Sequence, residues 1–306
     1  SKAQKIFLAR QHEFIEDSQA DPVSSNEIIQ GGSSILKEQA TCPFRAFAHI
    51  RLQAFSLPEA ELGLNYLTQG FLVHKALELF WKKVKNQATL NQISESELNE
   101  ILNKVIYQAL RACTETKIFI TIEHERLLKL LHEWLRFEKE RAPFQVIATE
   151  ASYQIQLAKL KLNLRIDRID QLEDGSFLII DYKTGYPSFK SWFNERITEP
   201  QLPLYAAYAF TEANALAFAQ LQAGQMKFKG ISLHEQNHSG LIPFDKLRYE
   251  LSAKSWQELM QNWQYHLEKT ANDFYAGKAE VDPYNPAVAC QQCDLQGLCR
   301  IKEFYF

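Results

Sequence analysis

The ten-residue stretch SFLIIDYKTG, residues 176–185, constrains the fold more than any other part of the chain. Four apolar residues, 177–180, run without a break into Asp181, Tyr182 and Lys183. Such a run predicts a buried strand, and side chains two positions apart on a strand share one face. The pattern therefore brings an acid and a base together at the end of a buried strand. Because burying charge is costly without a partner, we expect a specific role for this pair.

A hairpin brings a second acid to the same place. The loop EDG at 173–175 has glycine at its third position, which is typical of a three-residue hairpin loop with a left-handed glycine. Such a loop pairs Leu172 with Ser176. Counting back in antiparallel register sets Asp167 opposite Asp181, and directly opposite residues lie on one sheet face.

Two carboxylates at that spacing repel each other unless a cation lies between them or one takes up a proton. Mg²⁺ or Mn²⁺ suits carboxylate oxygens, and Lys183 could then orient or deprotonate a water molecule or neutralise a phosphate. The alternative is a surface ion cluster in which Lys183 is the counterion. Arg168 and Asp170 fall on the opposite sheet face, where we expect them to pair structurally.

The rest of the chain predicts an α/β core with a helical appendage. Apolar periodicity predicts helices, and alternating β-branched residues predict strands. The expected helices are 34–55 with a break at Cys42, 70–85, 95–112, 122–141, 200–213 and 245–276; the expected strands are 145–157, 160–171, 176–183 and two within 215–233.

These elements suggest a domain organisation. Residues 1–32 would be a linker or the remnant of a preceding region. Residues 33–306 would form one domain, with a mostly helical part at 33–143, the sheet core at 144–240, and a long helix with a Cys-rich tail at 241–306.

Composition excludes some classes of protein. Hydrophobic residues make up 46% of the 306 positions and the net charge is −3, so global charge does not indicate nucleic-acid binding. No run approaches the 18 or so apolar residues of a membrane-spanning helix, and the first residues lack the apolar core of a signal peptide. We expect a cytoplasmic protein.

Taken together, three motifs resemble the PD-(D/E)XK nuclease superfamily, in its branch of RecB-like and AddB-like nucleases of recombinational repair. They are RIDRID…IIDYKTG, the helix GFLVHKALELF and the segment QLPLY. The resemblance implies an α/β fold with a restriction-endonuclease-like core, which is a mixed central sheet flanked by helices, with a helical appendage and a Cys-rich C-terminal staple. It also implies that His74, Asp167, Asp181 and the Tyr182 carbonyl bind metal and that Lys183 is the catalytic lysine.

The same resemblance implies that Gln201 and Tyr205, one helical turn apart, flank the site. Two acids near the motifs need separate treatment. Glu78 lies one turn before Lys82, and we expect an ordinary helix ion pair. Glu150, just before the first strand's core, is as compatible with metal binding as with a structural role.

Four cysteines predict a second metal site. Cys290, Cys293 and Cys299 have the spacing C-x₂-C-x₅-C, and Cys42 lies far upstream. Four thiolates can hold zinc or an iron–sulfur cluster, and spacing alone does not separate them. The resemblance to AddB-like nucleases implies a [4Fe–4S] cluster, which would join the two ends of the domain across about 250 residues. Cys113 continues an apolar helical stripe and is expected in the core.

These features predict a Mg²⁺- or Mn²⁺-dependent deoxyribonuclease that acts on single strands or DNA ends, with DNA and a helicase subunit or region as partners. Two alternatives stay open: a DNA-binding module without catalysis, and a structural iron–sulfur domain that docks a helicase.

Overall fold

A computed structural model describes residues 18–24, 29, 31–57, 63–111, 113, 115–235, 240–247, 253–291 and 293–301. Most of the expected linker at 1–32 and the last five residues of the expected tail lie outside these ranges. Within them, no helix is both long enough and apolar enough to cross a membrane.

The described strands form one mixed sheet in the order β1-β2-β3-β4-β5-β6. The first three strands pair antiparallel, β3 and β4 are parallel, β4 and β5 antiparallel, and β5 and β6 parallel. This confirms the expected mixed sheet flanked by helices. The strands are β1 Phe144–Leu157, β2 Leu160–Leu172, β3 Phe177–Lys183, β4 Ala213–Gln220, β5 Lys227–Ser232 and β6 Ile242–Pro243.

Helices precede, interrupt and follow the sheet. The α-helices are α1 Ser33–Thr41, α2 Pro43–Ala46, α3 Tyr66–Val84, α4 Gln87–Gln92, α5 Glu95–Leu110, α6 Lys117–Lys139, α7 Gln201–Leu204, α8 Trp256–Tyr275, α9 Pro286–Ala289 and α10 Gln296–Cys299. Two π-helical turns, Phe47–Arg51 and Tyr205–Ala209, extend α2 and α7, and two short 3₁₀ turns cover Lys190–Phe193 and Phe244–Lys246.

The predicted long C-terminal helix is wrong at its start. The chain forms a short strand and a 3₁₀ turn up to Lys246, and α8 begins only at Trp256; residues 248–252 lie outside the described part. Ser255 caps α8 by accepting a hydrogen bond from the backbone N–H of Glu258 at 3.1 Å. A serine followed three residues later by glutamate is a capping-box pattern, so the true start was readable from the sequence.

Smaller differences concern the other helices. The helix α6 begins at Lys117, five residues before the expected start at 122, and the helical segment expected to reach residue 55 ends at Arg51. The helix expected at 200–213 ends at Ala209, and β4 begins at Ala213. The short helix α4 was not expected. Asn86 caps it by accepting a hydrogen bond from Thr89 N at 2.7 Å.

The sheet has a hydrophobic core on each face, and β3 contributes to both. Leu178, Ile180 and Tyr182 pack with α3, α5 and α6 on one face. Ile179 points to the other face, where α1 and α8 pack. The strand is therefore buried on both sides as its apolar run predicts. Its charged end belongs to the face of Ile179, because residues two apart share a face.

The two ends of the described chain meet. Ala20 N donates to Gly277 O at 2.8 Å, Phe44 N to Glu280 O at 2.9 Å and Tyr284 N to Thr41 O at 2.9 Å. These backbone hydrogen bonds join the segment around α1 and α2 to the segment that leads into the Cys-rich tail.

Candidate functional site

The β2–β3 hairpin sets the geometry of the site. Leu172 N donates to Ser176 O at 2.8 Å, and Gly175 adopts a left-handed φ of 82°. The strand pairs run from Gln171–Phe177 to Arg168–Ile180, which confirms the predicted register. Asp167 and Asp181 are the next residues on each strand. Here Tyr182 N donates to the Asp167 carboxylate at 2.9 Å instead of to a backbone carbonyl.

A third carboxylate, that of Glu150, extends this pair to a row across three strands. The β1–β2 pairs Thr149–Arg168 and Ala151–Ile166 flank Glu150 and Asp167, so those two acids also occupy opposite positions. Glu150 has a left-handed φ of 50°, which interrupts the ladder at this point. The row Glu150–Asp167–Asp181 lies across β1, β2 and β3.

The turn between β1 and β2 also places Glu150 in this row. Leu157 pairs with Leu160 across a two-residue turn. In antiparallel register, counting back seven residues on each strand from the Leu157–Leu160 pair sets residue 150 opposite residue 167. Burial and the nearby Asp167 raise the pKa of Glu150, and Arg165 opposes that shift with its Nε 2.6 Å from Glu150 Oε2.

His74 reaches this row from α3. The helix begins at a cap in which Asn65 accepts a hydrogen bond from Thr68 N at 2.8 Å. The Nε2 atom of His74 lies 3.0 Å from the Tyr182 carbonyl oxygen, and the Nδ1 atom of His74 lies 3.2 Å from Asp167 Oδ2. Burial by itself disfavours the charged imidazole, but the carboxylates of Asp167 and Asp181 outweigh it and raise the pKa of His74.

Asp181 is the most deeply buried acid of the row. It is fully buried, and this burial, with the nearby Asp167, raises its pKa to about 6 despite the opposing charge of Lys183. Lys183 Nζ lies 2.6 Å from Asp181 Oδ2, yet neither carboxylate oxygen has a well-directed hydrogen bond. Asp181 therefore has a positive charge beside it but carboxylate oxygens without a directed hydrogen bond.

Lys183 is held by a chain of polar groups. Its Nζ donates to Gln201 Oε1 at 3.1 Å, Gln201 Nε2 donates to Tyr205 Oη at 2.9 Å, and Tyr205 Oη donates to the Arg165 carbonyl at 2.7 Å. Burial alone would lower the pKa of Lys183, but Asp181 reverses this and raises it. Lys183 is therefore a cation whose position is fixed from two sides.

These residues suit a hard divalent cation. Potential ligand atoms of His74, Glu150 and Asp167 all lie within 4.8 Å of one another. The Tyr182 carbonyl contacts His74. Asp181, whose oxygens lack hydrogen-bond partners, follows the strand pair Arg168–Ile180 and so faces Asp167, but it is not part of this set of three. Carboxylate and carbonyl oxygens are the donors that Mg²⁺ and Mn²⁺ prefer, whereas an imidazole such as that of His74 is more typical of transition-metal sites.

The opposite face of the same hairpin carries a closed charge network. Arg168 Nε donates to Asp170 at 2.6 Å and Nη1 to Glu138 at 2.7 Å, and Arg141 Nη1 donates to both Glu138 and Asp170. The hydroxyl of Tyr182 accepts from Arg168 at 3.3 Å. This confirms the expected structural pairing of Arg168 and Asp170. Glu138 and Arg141, which the sequence did not indicate, complete it.

Glu78 is structural, as expected. Lys75 and Lys82 both donate to its carboxylate, at 2.7 and 2.5 Å. Their hydrogen bonds and charges lower its pKa against the effect of its partial burial. Glu78 therefore has a full set of partners on its own helix.

The four cysteines come from the two segments that meet at the chain ends. Cys42 lies between α1 and α2; the others lie along the tail around α9 and α10. Burial raises the pKa of Cys42, and the neighbouring thiol of Cys293 adds to it; Cys290 is affected in the same way by burial, Cys293 and Cys299. Among the described residues, no three of these sulfurs lie within 4.8 Å of one another. Which group they bind stays a prediction.

The crystal structure of SSO0001 aligns with 88% of this chain and 96% of its own, at 15% sequence identity and a TM-score of 0.32. That similarity is too low to support an argument about fold or function. A family model gives a firmer result: the model of the PD-(D/E)XK nuclease superfamily matches residues 33–300. The matched range contains the carboxylate row, His74, Lys183, the upstream Cys42 and the three cysteines of the tail. The chain belongs to the PD-(D/E)XK nuclease superfamily.

Proposed function

We propose that this protein is a Mg²⁺- or Mn²⁺-dependent deoxyribonuclease that hydrolyses phosphodiester bonds of single-stranded DNA or DNA ends during recombinational repair. The observation that carries the proposal is the row of carboxylates across three strands. Its most buried member, Asp181, has unsatisfied oxygens and lies beside the cation Lys183. A row of buried acids is unfavourable in itself, and a bound divalent cation would remove that cost.

The residues that would hold the metal are His74, Asp167, Asp181 and the Tyr182 carbonyl, to which we add Glu150. A divalent cation in such a site stabilises developing negative charge on a phosphate and activates water. Asp167 has a second task, because it accepts the hydrogen bond of Tyr182 N and so fixes the end of β3.

Lys183 would act as a fixed positive charge. Despite its burial, the Asp181 carboxylate raises the pKa of Lys183, which favours the protonated ammonium in the metal-free protein. Its ammonium can donate to a phosphate oxygen near Asp181, where charge accumulates during hydrolysis. Gln201 and Tyr205 hold it there through the polar chain that ends on β2.

The test is cleavage of end-labelled single-stranded DNA with Mg²⁺, with Mn²⁺ and with EDTA. We expect metal-dependent cutting by the wild type and none by Asp181→Ala. Glu173→Gln is a matched control, since it removes an exposed acid from the turn of the same hairpin, and it should cut normally. A wild type that binds DNA without cutting it would contradict the nuclease and favour a binding module.

We also propose that Cys42, Cys290, Cys293 and Cys299 hold a [4Fe–4S] cluster. The support for this is the one upstream cysteine and the C-x₂-C-x₅-C spacing of the tail, an arrangement that resembles the cluster-binding cysteines of AddB-like nucleases. The backbone hydrogen bonds between the two cysteine-bearing segments support a site that joins them.

Cys293→Ser should bleach the brown colour of the purified protein and lower its melting temperature. A colourless wild type that contains one zinc per chain would contradict the cluster and favour zinc. We further propose that the protein is cytoplasmic and that its partner is a helicase subunit or region. Co-purification of a helicase with the protein, while the protein keeps its cluster, would test the partner.

A further inference from the structure

We propose that the first two turns of α3 form a stacking platform, made of Tyr66, Leu67 and Phe71, on which unpaired bases of a DNA strand lie as its backbone enters the candidate metal site. The platform would make the protein select single strands over duplex. This inference rests on the proposed nuclease function and names the feature that selects its substrate.

The platform and the site share one cavity. A cavity of about 320 Å³ is lined by Tyr66, Leu67 and Phe71 together with His74, Arg165 and Lys183. The apolar side chains therefore form one wall of the opening that leads to the metal-binding set.

The platform residues are not part of the core. Tyr66 is 83% exposed, Leu67 86% and Phe71 50%, while the inward face of the same helix is fully buried. Large apolar groups clustered in the open beside a polar site commonly mark a binding surface.

Helical spacing arranges these groups as a path toward the metal-binding set. Leu67, Phe71 and His74 are separated by four and three residues, so they follow one another along a single face of α3. Seven residues of helix span about 10 Å. Tyr66 widens the outer end of this path, which is long enough for a short run of nucleotides.

The charges beside the platform favour a nucleic acid. Arg165, 62% exposed at its side chain while its Nε pairs with Glu150, and Lys183, which pairs with Asp181, line the same cavity. When a metal ion holds the two carboxylates, these cations can contact phosphates next to surfaces for bases. An aromatic ring can stack on the face of an unpaired base, but in a duplex those faces are covered by neighbouring base pairs. The combination therefore fits single-stranded DNA.

The test is binding, with Ca²⁺ in place of Mg²⁺, of two fluorescein-labelled strands of equal length: oligothymidylate and its abasic counterpart. Stacking is worth about 1–3 kcal/mol per base, so the wild type should prefer oligothymidylate at least about fivefold. Phe71→Ala and Tyr66→Ala should reduce that preference and leave affinity for the abasic strand unchanged. Phe71→Trp should restore it, and Tyr265→Ala, which removes an exposed tyrosine from α8, should leave it intact.

Three results would overturn the platform. The first is a wild type that binds the two strands equally or binds neither. The second is a set of variants that lose affinity for both strands alike. The third is unchanged base preference in the alanine variants with a change in sedimentation, which would show that a second copy of the chain covers this surface.

Cleavage separates the two proposals. Metal-dependent cutting without base preference would contradict the platform alone. Base preference that depends on Phe71, without cutting by the wild type, would contradict the nuclease alone.

Discussion

The two faces of the β2–β3 hairpin each gather acids and bases, but they do so in different ways. On the face toward α6, Glu138, Asp170 and Arg168 are completely buried and each has directed partners. On the other face Asp181 is equally buried, yet its oxygens lack directed hydrogen bonds and its pKa is raised to about 6. Charge burial alone therefore does not identify a functional site. A buried charge without full pairing is the better indicator, because it costs free energy that a bound cation would recover.

Tyr182 connects the two faces. Its hydroxyl accepts a hydrogen bond from Arg168 on one side, while its backbone N–H and carbonyl contact Asp167 and His74 at the site. The closed network thereby fixes the strand whose backbone belongs to the open site. Arg168 also lies over the ring of Trp81 at 4.0 Å, which ties the network to α3, the helix that carries His74.

The largest effect that we predict on stability comes from the closed face. Asp170→Asn should lower the free energy of unfolding by about 3–5 kcal/mol, since it leaves two buried arginines short of one negative charge. Urea denaturation measures this. Glu173→Gln, an exposed change on the same hairpin, should stay within about 0.5 kcal/mol. If Asp170→Asn left the free energy of unfolding unchanged, the two faces would not differ as described.

The next effect falls on activity. Lys183→Ala should lower cleavage about 10²–10³-fold, the usual consequence of losing one positioned charge-stabilising donor, while Mg²⁺ binding persists. Calorimetric titration with Mg²⁺ separates a loss of cleavage from a loss of metal binding. A variant that cuts DNA at near the wild-type rate would show that Lys183 is only a counterion to Asp181.

Sequence alone revealed the open face better than the closed one. The pairing of Asp167 with Asp181 follows from a three-residue turn, which is local chemistry, and His74 and Gln201 lie in short recognisable motifs. Glu138 and Arg141 lie at the end of α6 and meet Arg168 only through packing of the helix on the sheet. No local pattern encodes that contact, and the exposure of the α3 platform likewise depends on how α3 packs.

The third prediction concerns pH. Because the folded-state pKa of Asp181, about 6, lies above its ordinary value near 4, its ionisation destabilises the metal-free fold as pH rises between those values. In EDTA, Asp181→Asn should thus be more stable than the wild type by about 1–3 kcal/mol at pH 7. The gain should vanish below about pH 4. A gain that is the same at both pH values would argue against a raised pKa.

The smallest effect tests how Lys183 is held. If Gln201 positions Lys183 and Tyr205 positions Gln201, the two act in series. Gln201→Ala should then lower the cleavage rate about tenfold, the value of one hydrogen bond to a charged group. Tyr205→Phe should lower it less, because Gln201 keeps its contact with Lys183. The double variant should be no slower than Gln201→Ala alone, since residues in one network are not additive. Additive losses would show that Tyr205 serves the site independently, through its hydrogen bond to the Arg165 carbonyl on β2. The open face would then be organised by two separate supports instead of a single chain of contacts.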